Sequence, residues 1–573
     1  MSTSAGAFTF VLHSHLPYAR QAGMWPHGEE WVHEALAETY IPLLEALYDL
    51  RADGVNYHLT IGITPILAEQ LGDPLIIEHF IHYASERAAW AAADISRFEA
   101  NGDDQMASLA RFYHHWYART LTSFRDRFNR QVLAAFATLQ DEGYIEIATS
   151  AATHGYLPLL SRDSSIYGQI ATGVATYKRW FGKAPRAIWL PECAYRPAAM
   201  DTTVDPAIRR PGIESFLAEQ GIRVFFSETH TVEGGRPVGK AAGDAIGPYG
   251  FVPRANAAPL SAEEQQVPGS TYHPYWVGDA PGQVAVLARN NRTGQQVWSG
   301  DHGYPGDAWY REFHRKDSVS GMQYWRITGP KIDLGEKQPY DPARAEERIH
   351  DHARHFAWLV NELLNEYQQE TGQFGVISAA YDTELFGHWW FEGVLWLREV
   401  LRNLAQNPNV EMSTATRIIE EHAPERVLDL PETSWGAGGD HSTWLNHDTE
   451  WMWPVIHERE RTMEQLVATV DSGDEQRKAI LAQAARELVL LESSDWPFLV
   501  TTGQAKEYAI ERFTEHVKRF DQLAALATQE TAFTNDQVAF LSGLRDRDNP
   551  FPDIDIYAFS ERQGHAEKRA DPR

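Results

Sequence analysis

The chain is nearly devoid of cysteine. Cys193 is the single one in 573 residues, which excludes an internal disulfide and fits a reducing, cytoplasmic setting. Positive charge is also scarce: 51 Lys and Arg stand against 79 Asp and Glu, a net charge of −28. Phosphates would be repelled, so neither nucleic acid nor an anionic membrane is an expected partner. A neutral sugar is untouched by that argument. No uninterrupted apolar run approaches the ~18 residues of a membrane span. Residues 1–8 have neither a basic segment nor a long apolar one, so no secretory leader is expected. Gly303-Tyr304-Pro305-Gly306 and Gly436-Ala437-Gly438-Gly439 are not phosphate-binding loops, because no Lys-Ser/Thr follows either. There is no Gly-x-Ser-x-Gly elbow, no cysteine-hydrolase context around Cys193, and no repeat of fixed period.

A composition 43% hydrophobic and 12% aromatic is that of a globular protein. Its length predicts two or three domains. The 19 Trp and 23 Tyr can either fill a large core or stack on the C–H faces of pyranose rings.

Seven short β-rich runs follow one another: 7–13, 57–63, 144–149, 187–190, 222–227, 284–288 and 374–381. Each ends in polar or ionisable residues, and most intervals are long enough for a helix. Glu34–Arg51 and Pro342–Gln369 have amphipathic helical spacing. Polar clusters at the C-terminal ends of parallel strands predict an α/β fold, a distorted TIM-like (β/α)7 barrel closed or nearly so. The expected organisation is a catalytic barrel from 1–72 and 143–402, an inserted helical domain at 73–142, a C-terminal all-helical domain at 403–550, and a polar, frayed tail at 551–573. The Gly-, Pro- and Ala-rich stretch 231–283 has little periodicity and is expected to be an irregular lid.

Two strand ends carry the chemistry. Trp189-Leu190-Pro191-Glu192 and Tyr381-Asp382 each deliver a carboxylate walled by aromatics, and on neighbouring strand ends the two would face each other across the barrel mouth. Glycoside cleavage needs such a pair, one carboxylate as nucleophile or base and one held protonated as acid. An aromatic wall can raise one carboxyl into the acid role. His13, His15 and His154 crowd the same rim. Two-residue spacing puts His13 and His15 on one face of the strand, where they could bind metal. No carboxylate adjoins them, as a metal-dependent polysaccharide deacetylase would require, so hydrogen bonding to sugar hydroxyls is the favoured reading. No metal or cofactor is expected. His114, His115, His350 and His352 lie in helical segments and are read as surface or core residues.

Several motifs, in order, resemble glycoside hydrolase family 57: His-Ser-His-Leu-Pro-Tyr (13–18), Gly-Ile-Thr-Pro (62–65), Trp-Leu-Pro-Glu-Cys-Ala-Tyr (189–195) and Tyr-Asp-Thr-Glu-Leu-Phe-Gly-His-Trp-Trp (381–390). Val297–Asp307 and Ser434–Leu445 further resemble its α-1,4-glucan branching enzyme subgroup. The resemblance runs from residue 8 to about 530. It implies the (β/α)7 barrel with its two helical additions, Glu192 as nucleophile and Asp382 as general acid/base. It also implies rim roles for His13 and His154 and a glucan groove lined by Trp298, Trp435 and Trp444; His15 and Trp389, beside Asp382, are added as substrate-binding candidates from their positions. The family's lid carries a tyrosine. The 231–283 stretch aligns poorly, and Tyr249 is the choice, with Tyr272 and Tyr275 as competitors.

The expected activity is transfer of an α-1,4-glucan segment to a glucan 6-hydroxyl with retained configuration, as in glycogen-type biosynthesis. Donor and acceptor are both glucans such as amylose or glycogen, and the chain is expected to be a monomer or small homo-oligomer. An α-amylase or 4-α-glucanotransferase, the deacetylase, and a non-catalytic glucan-binding protein are the alternatives.

Overall fold

The computed structural model describes residues 4–201, 207–235, 245–247, 250–252, 269–298, 303–329, 331–471 and 473–562. The seven apolar runs form seven strands: β1 (Gly6–Ser14), β2 (Leu59–Ile63), β3 (Ile145–Ser150), β4 (Ala187–Trp189), β5 (Val224–Ser227), β6 (Ala285–Ala288) and β7 (Gly375–Asp382). They are apolar on both faces because the sheet is covered on both, as parallel sheets require.

Their order is β7-β1-β2-β3-β4-β5-β6, every neighbouring pair parallel. The ring closes between β6 and β7 through one parallel bridge, Arg289 to Ser378, where Asn290 N donates to Ser378 O at 2.8 Å. That single bridge, and the three-residue β4, make the (β/α)7 barrel distorted. All seven strand ends point their polar residues to one rim.

Helix boundaries follow local chemistry. The long helix Pro74–Ala100 begins where Asp73 accepts hydrogen bonds from Leu75 N and Ile76 N, with proline in the first turn. Helix Pro342–Thr371 starts the same way from Asp341 and stops at Gly372, whose φ of 71° a side chain would strain. The helical reading of 34–51 becomes helix Glu29–Ala35, a π-helical turn Leu36–Tyr40 and helix Ile41–Ala52. Helices Pro74–Ala100 and Asp104–Thr122 pack as a pair outside the barrel. Beyond residue 450, helices Met452–Thr469, Glu475–Leu491, Asp495–Thr502 and Lys506–Ala527 share one apolar core. Among the described residues no helix is long and apolar enough to cross a membrane.

Three boundaries differ from the sequence reading. Val410–Met412 pairs with β1, and Val427–Leu428 pairs with the strand Tyr275–Val277, so the sheet continues well past residue 403. Strands of two or three residues are too short to show a period. The strand Tyr275–Val277 also lies antiparallel on β6, so the end of the 231–283 stretch is part of the sheet. Finally, 551–562 is no frayed tail. Phe551 and Phe559 are buried, and the Phe559 ring sits against Gly168, where an added Cβ would lie 2.4 Å from Cε1.

Candidate active site

The rim is assembled from the strand ends, the Gly-rich loop that carries Trp435 and one segment of the helical region. β1 ends in His13 and Ser14, and His13 is the register partner of Asp382 on β7. After β4 the chain turns through Leu190-Pro191 and presents Glu192 with φ 59° and ψ 25°, a left-handed conformation shared by Cys193 and His154. Such backbone costs of order 1–3 kcal/mol per residue and persists only where surroundings enforce it. Here the enforcing contacts are visible. Trp435 N donates to Glu192 O at 3.0 Å, and the Trp435 indole Nε1 donates to Glu192 Oε2 at 2.7 Å. Ser494 Oγ donates to Glu192 Oε1 at 3.2 Å.

The histidines form a stack over the barrel mouth. His13 Nε2 and His154 Nε2 are 3.1 Å apart, and His154 Nδ1 is 2.9 Å from Ser494 Oγ. His15 stacks on His154 with ring centroids 4.0 Å apart, and His13 stacks on Trp189 at 4.6 Å. His15 engages both ring nitrogens, with Thr64 Oγ1 and Asp495 Oδ1, each at 3.0 Å. Hydrogen bonds therefore run from His13 through His154 and Ser494 to Glu192, and His13 is the strand neighbour of Asp382.

The two carboxylates differ in their surroundings. Burial pushes the Glu192 carboxyl up to about 7, while the Trp435 and Ser494 donors and nearby His15 pull it back. Burial pushes Asp382 well above the usual carboxylate range, and the charges of Glu384 and Glu192 push it further, against Arg289. Among the described residues none hydrogen-bonds the Asp382 carboxyl. Both carboxyls are thus raised, Glu192 with donors that favour its charged form and Asp382 with neighbouring carboxylates that disfavour it. Unequal surroundings of this kind let two carboxyl groups divide acid and nucleophile roles. Burial and His15 lower His13, burial and the other two histidines lower His154, and both rings stay neutral. Burial would lower His15 too, but Asp495 beside it outweighs that and raises it.

The loop after β7 is closely fitted. Tyr40 OH donates to Glu384 Oε1, and His15 N donates to the same oxygen at 3.2 Å. Gly387, with φ 104°, lies so near Glu38 that a Cβ would come within 1.9 Å of its carbonyl oxygen.

The tryptophans divide. Trp435 touches Glu192. Trp389 is 45% exposed on the loop after Asp382. Trp298 ends helix Asn291–Trp298, half-buried, with its ring 6.5 Å from that of Tyr381. Trp444 is not a groove residue: it is 1% exposed and stacked on Tyr156 at 4.4 Å, inside the core shared with the helical region. Its motif holds two tryptophans nine residues apart, and only tertiary packing separates the one that faces the site from the one behind it. Tyr249 lies outside the described residues. Of its competitors, Tyr272 stacks on Tyr367 at 4.5 Å and Tyr275 is buried in the sheet.

Four polar residues of the site went unassigned from sequence. Glu384 lies inside the quoted β7 motif, and Arg289 begins the polar cluster after β6. It is paired to Glu228 at 2.7 Å. Ser494 and Asp495 come from Glu492-Ser493-Ser494-Asp495, a polar break between two helices and the sole local signal they carry.

The profile of glycosyl hydrolase family 57 matches residues 9–431, so both carboxylates and the three rim histidines fall within it. This chain belongs to that family. The profile described as 1,4-alpha-glucan branching enzyme, C-terminal, matches residues 455–559. A 1,4-alpha-glucan branching enzyme of Thermococcus kodakarensis is 46% identical over 570 residues, which span 99% of this chain and 80% of that protein. The crystal structure of a family 57 branching enzyme from that organism superposes with a TM-score of 0.87 at 44% identity, covering 98% of this chain and 97% of the other. One from Pyrococcus horikoshii superposes at 0.85 and 41% identity, covering 98% of each. The alpha-amylase AmyC of Thermotoga maritima superposes at 0.79 and 28% identity, covering 97% and 99%.

Proposed function

We propose that this family 57 chain is a 1,4-α-glucan branching enzyme acting by retaining double displacement. The observation that carries the chemistry is the unequal setting of the carboxylate pair: Glu192 accepts hydrogen bonds from Trp435 and Ser494, whereas Asp382 is buried beside two other carboxylates and, among the described residues, accepts none. The branching assignment is supported by identity to branching enzymes along the whole chain, C-terminal helical region included.

In the first half-reaction a Glu192 oxygen attacks the anomeric carbon of the donor glucan. The bond from that carbon to the departing 4-oxygen breaks, and Asp382 gives that oxygen its proton. The product is a covalent glucosyl ester of Glu192. In the second half-reaction the Asp382 carboxylate takes the proton of an acceptor 6-hydroxyl. Its oxygen bonds to the anomeric carbon, and Glu192 leaves as the anion it began as. Two inversions retain the α configuration. The partners are two glucan chains, the setting is glycogen-type synthesis in the cytoplasm, and no cofactor takes part.

Incubation with amylose, then enzymatic debranching and chain sizing, tests the reading. New α-1,6 linkages with few new reducing ends are expected. Reducing ends without new branches would instead establish the hydrolytic reading, which the similarity to the Thermotoga amylase favours.

A further inference from the structure

A second cluster of polar side chains lies away from the catalytic rim. Glu29 and His33 stand four residues apart on helix Glu29–Ala35 and so share one face. His79, on helix Pro74–Ala100, meets them: its Nδ1 is hydrogen-bonded to Glu29 Oε2, and His33 Nε2 lies 3.8 Å from the same oxygen. The ligand atoms of all three residues lie within 4.8 Å of one another. Gln21 N holds the other oxygen, Glu29 Oε1, at 2.8 Å, leaving Oε2 to the cluster.

His33 is the informative member. It is fully buried, and neither ring nitrogen has a hydrogen-bond partner. Its ring lies 6.2 Å from that of Phe80 and 5.6 Å from that of Tyr83. An imidazole buried with one 3.8 Å contact to a carboxylate and no hydrogen bond recovers little of the hydration it loses, which native interiors rarely tolerate.

We propose that Glu29, His33 and His79 are the ligands of a divalent transition-metal ion, zinc or one of similar softness. Two imidazoles and one carboxylate are a zinc donor set, with the fourth position open to water. His79, whose side chain is 36% exposed, provides the route in from solvent. At metal–ligand lengths near 2 Å, tetrahedral donors sit about 3.3 Å apart, so His33 Nε2, now 3.8 Å from Glu29 Oε2, needs to approach by about half an ångström and the hydrogen-bonded His79–Glu29 pair needs to open. The ion would take the place of the proton between Glu29 and His79 and give His33 Nε2 its partner.

The site would pin helix Glu29–Ala35 to the inserted helix. The first of these continues into the π-helical turn Leu36–Tyr40, whose Tyr40 is bonded to Glu384 at the rim. Its role is to brace the fold; no step of glucan transfer uses it.

Elsewhere the chemistry is less favourable. In the buried group Glu487, His516 and Asp548, His516 is engaged with Glu487 and Arg512, and Arg519 already neutralises Asp548. The group Glu411, Glu421 and His422 is partly exposed and serves as a control.

The test strips the chain with a chelator, exposes it to zinc, dialyses it and measures bound metal, with affinity by calorimetry. The wild-type chain is expected to keep one zinc, to melt at a higher temperature with it, and with cobalt to show the intense visible bands of a tetrahedral ion. His79→Gln and Glu29→Gln should bind at least about a hundredfold more weakly, since loss of a ligand exceeds the effect of losing an outer-shell group. His422→Gln should bind as the wild type does. A wild-type chain that keeps no zinc overturns the proposal, as does a His79→Gln chain, folded by circular dichroism, that keeps it equally well.

Discussion

Trp435 donates its indole N–H to Glu192 Oε2 at 2.7 Å, and its backbone N–H to the carbonyl oxygen of the same residue at 3.0 Å. One residue from the Gly-rich loop after the barrel thus holds both the turn at Glu192 and its carboxylate.

Trp435→Phe keeps an aromatic ring there and removes the side-chain donor. A hydrogen bond to a charged group contributes about 1.5–3 kcal/mol, which corresponds to about one to two pH units. The lost bond favoured the ionised form, so the Glu192 carboxyl must rise from its value of about 7. The acid limb of the kcat/KM profile for glucan transfer should move toward alkaline pH by that amount. An unmoved limb would show that Trp435 does not set the charge of Glu192.

In the proposed mechanism Asp382→Asn removes the proton donor and leaves Glu192 as nucleophile. Transfer from amylose should fall by about 10²–10⁴-fold. A glucosyl fluoride donor, whose leaving group needs no proton, should restore formation of the covalent intermediate, detectable by mass spectrometry of the intact chain. Glu192→Gln should form none with either donor.

The same Asp382→Asn change carries a stability prediction. The folded carboxyl is raised above the ~3.9 of an unfolded aspartate. A raised acid contributes stability in full below its unfolded value and loses it as pH rises through its folded value. Asparagine never ionises, so the variant and the wild type should melt together near about pH 4 and separate at alkaline pH, the variant melting higher by a few degrees. Scanning calorimetry across pH checks this. A variant that melts lower at every pH would mean the carboxylate is structurally required.

Trp444→Ala tests whether this residue is core or groove. With Trp444 buried against Tyr156, truncation should destabilise the chain by about 3–5 kcal/mol while leaving KM for amylose unchanged in the folded fraction. A raised KM at unchanged stability would return it to the groove.

The barrel was legible because its strands are apolar on both faces and each stops at a polar cluster, as at Pro191-Glu192 and Tyr381-Asp382. The short strands Val410–Met412 and Val427–Leu428 were not, since pairing with β1 and with Tyr275–Val277 makes them strands, and no local pattern does. Likewise the apolar residues of 551–562 read as scattered until Phe559 meets Gly168.

By itself the sequence determined the seven strands, the residues that end them, and the two carboxylates that belong together, because strand periodicity and motif order are local properties of the chain. Tertiary structure alone decided which donors reach Glu192, because Trp435 and Ser494 are brought to it from far along the chain. It also decided that Trp435 faces the site and Trp444 the core, and that Asp495 of the helical region completes His15. Those assignments rest on contacts between residues hundreds of positions apart, and on the low dielectric that folding creates around them.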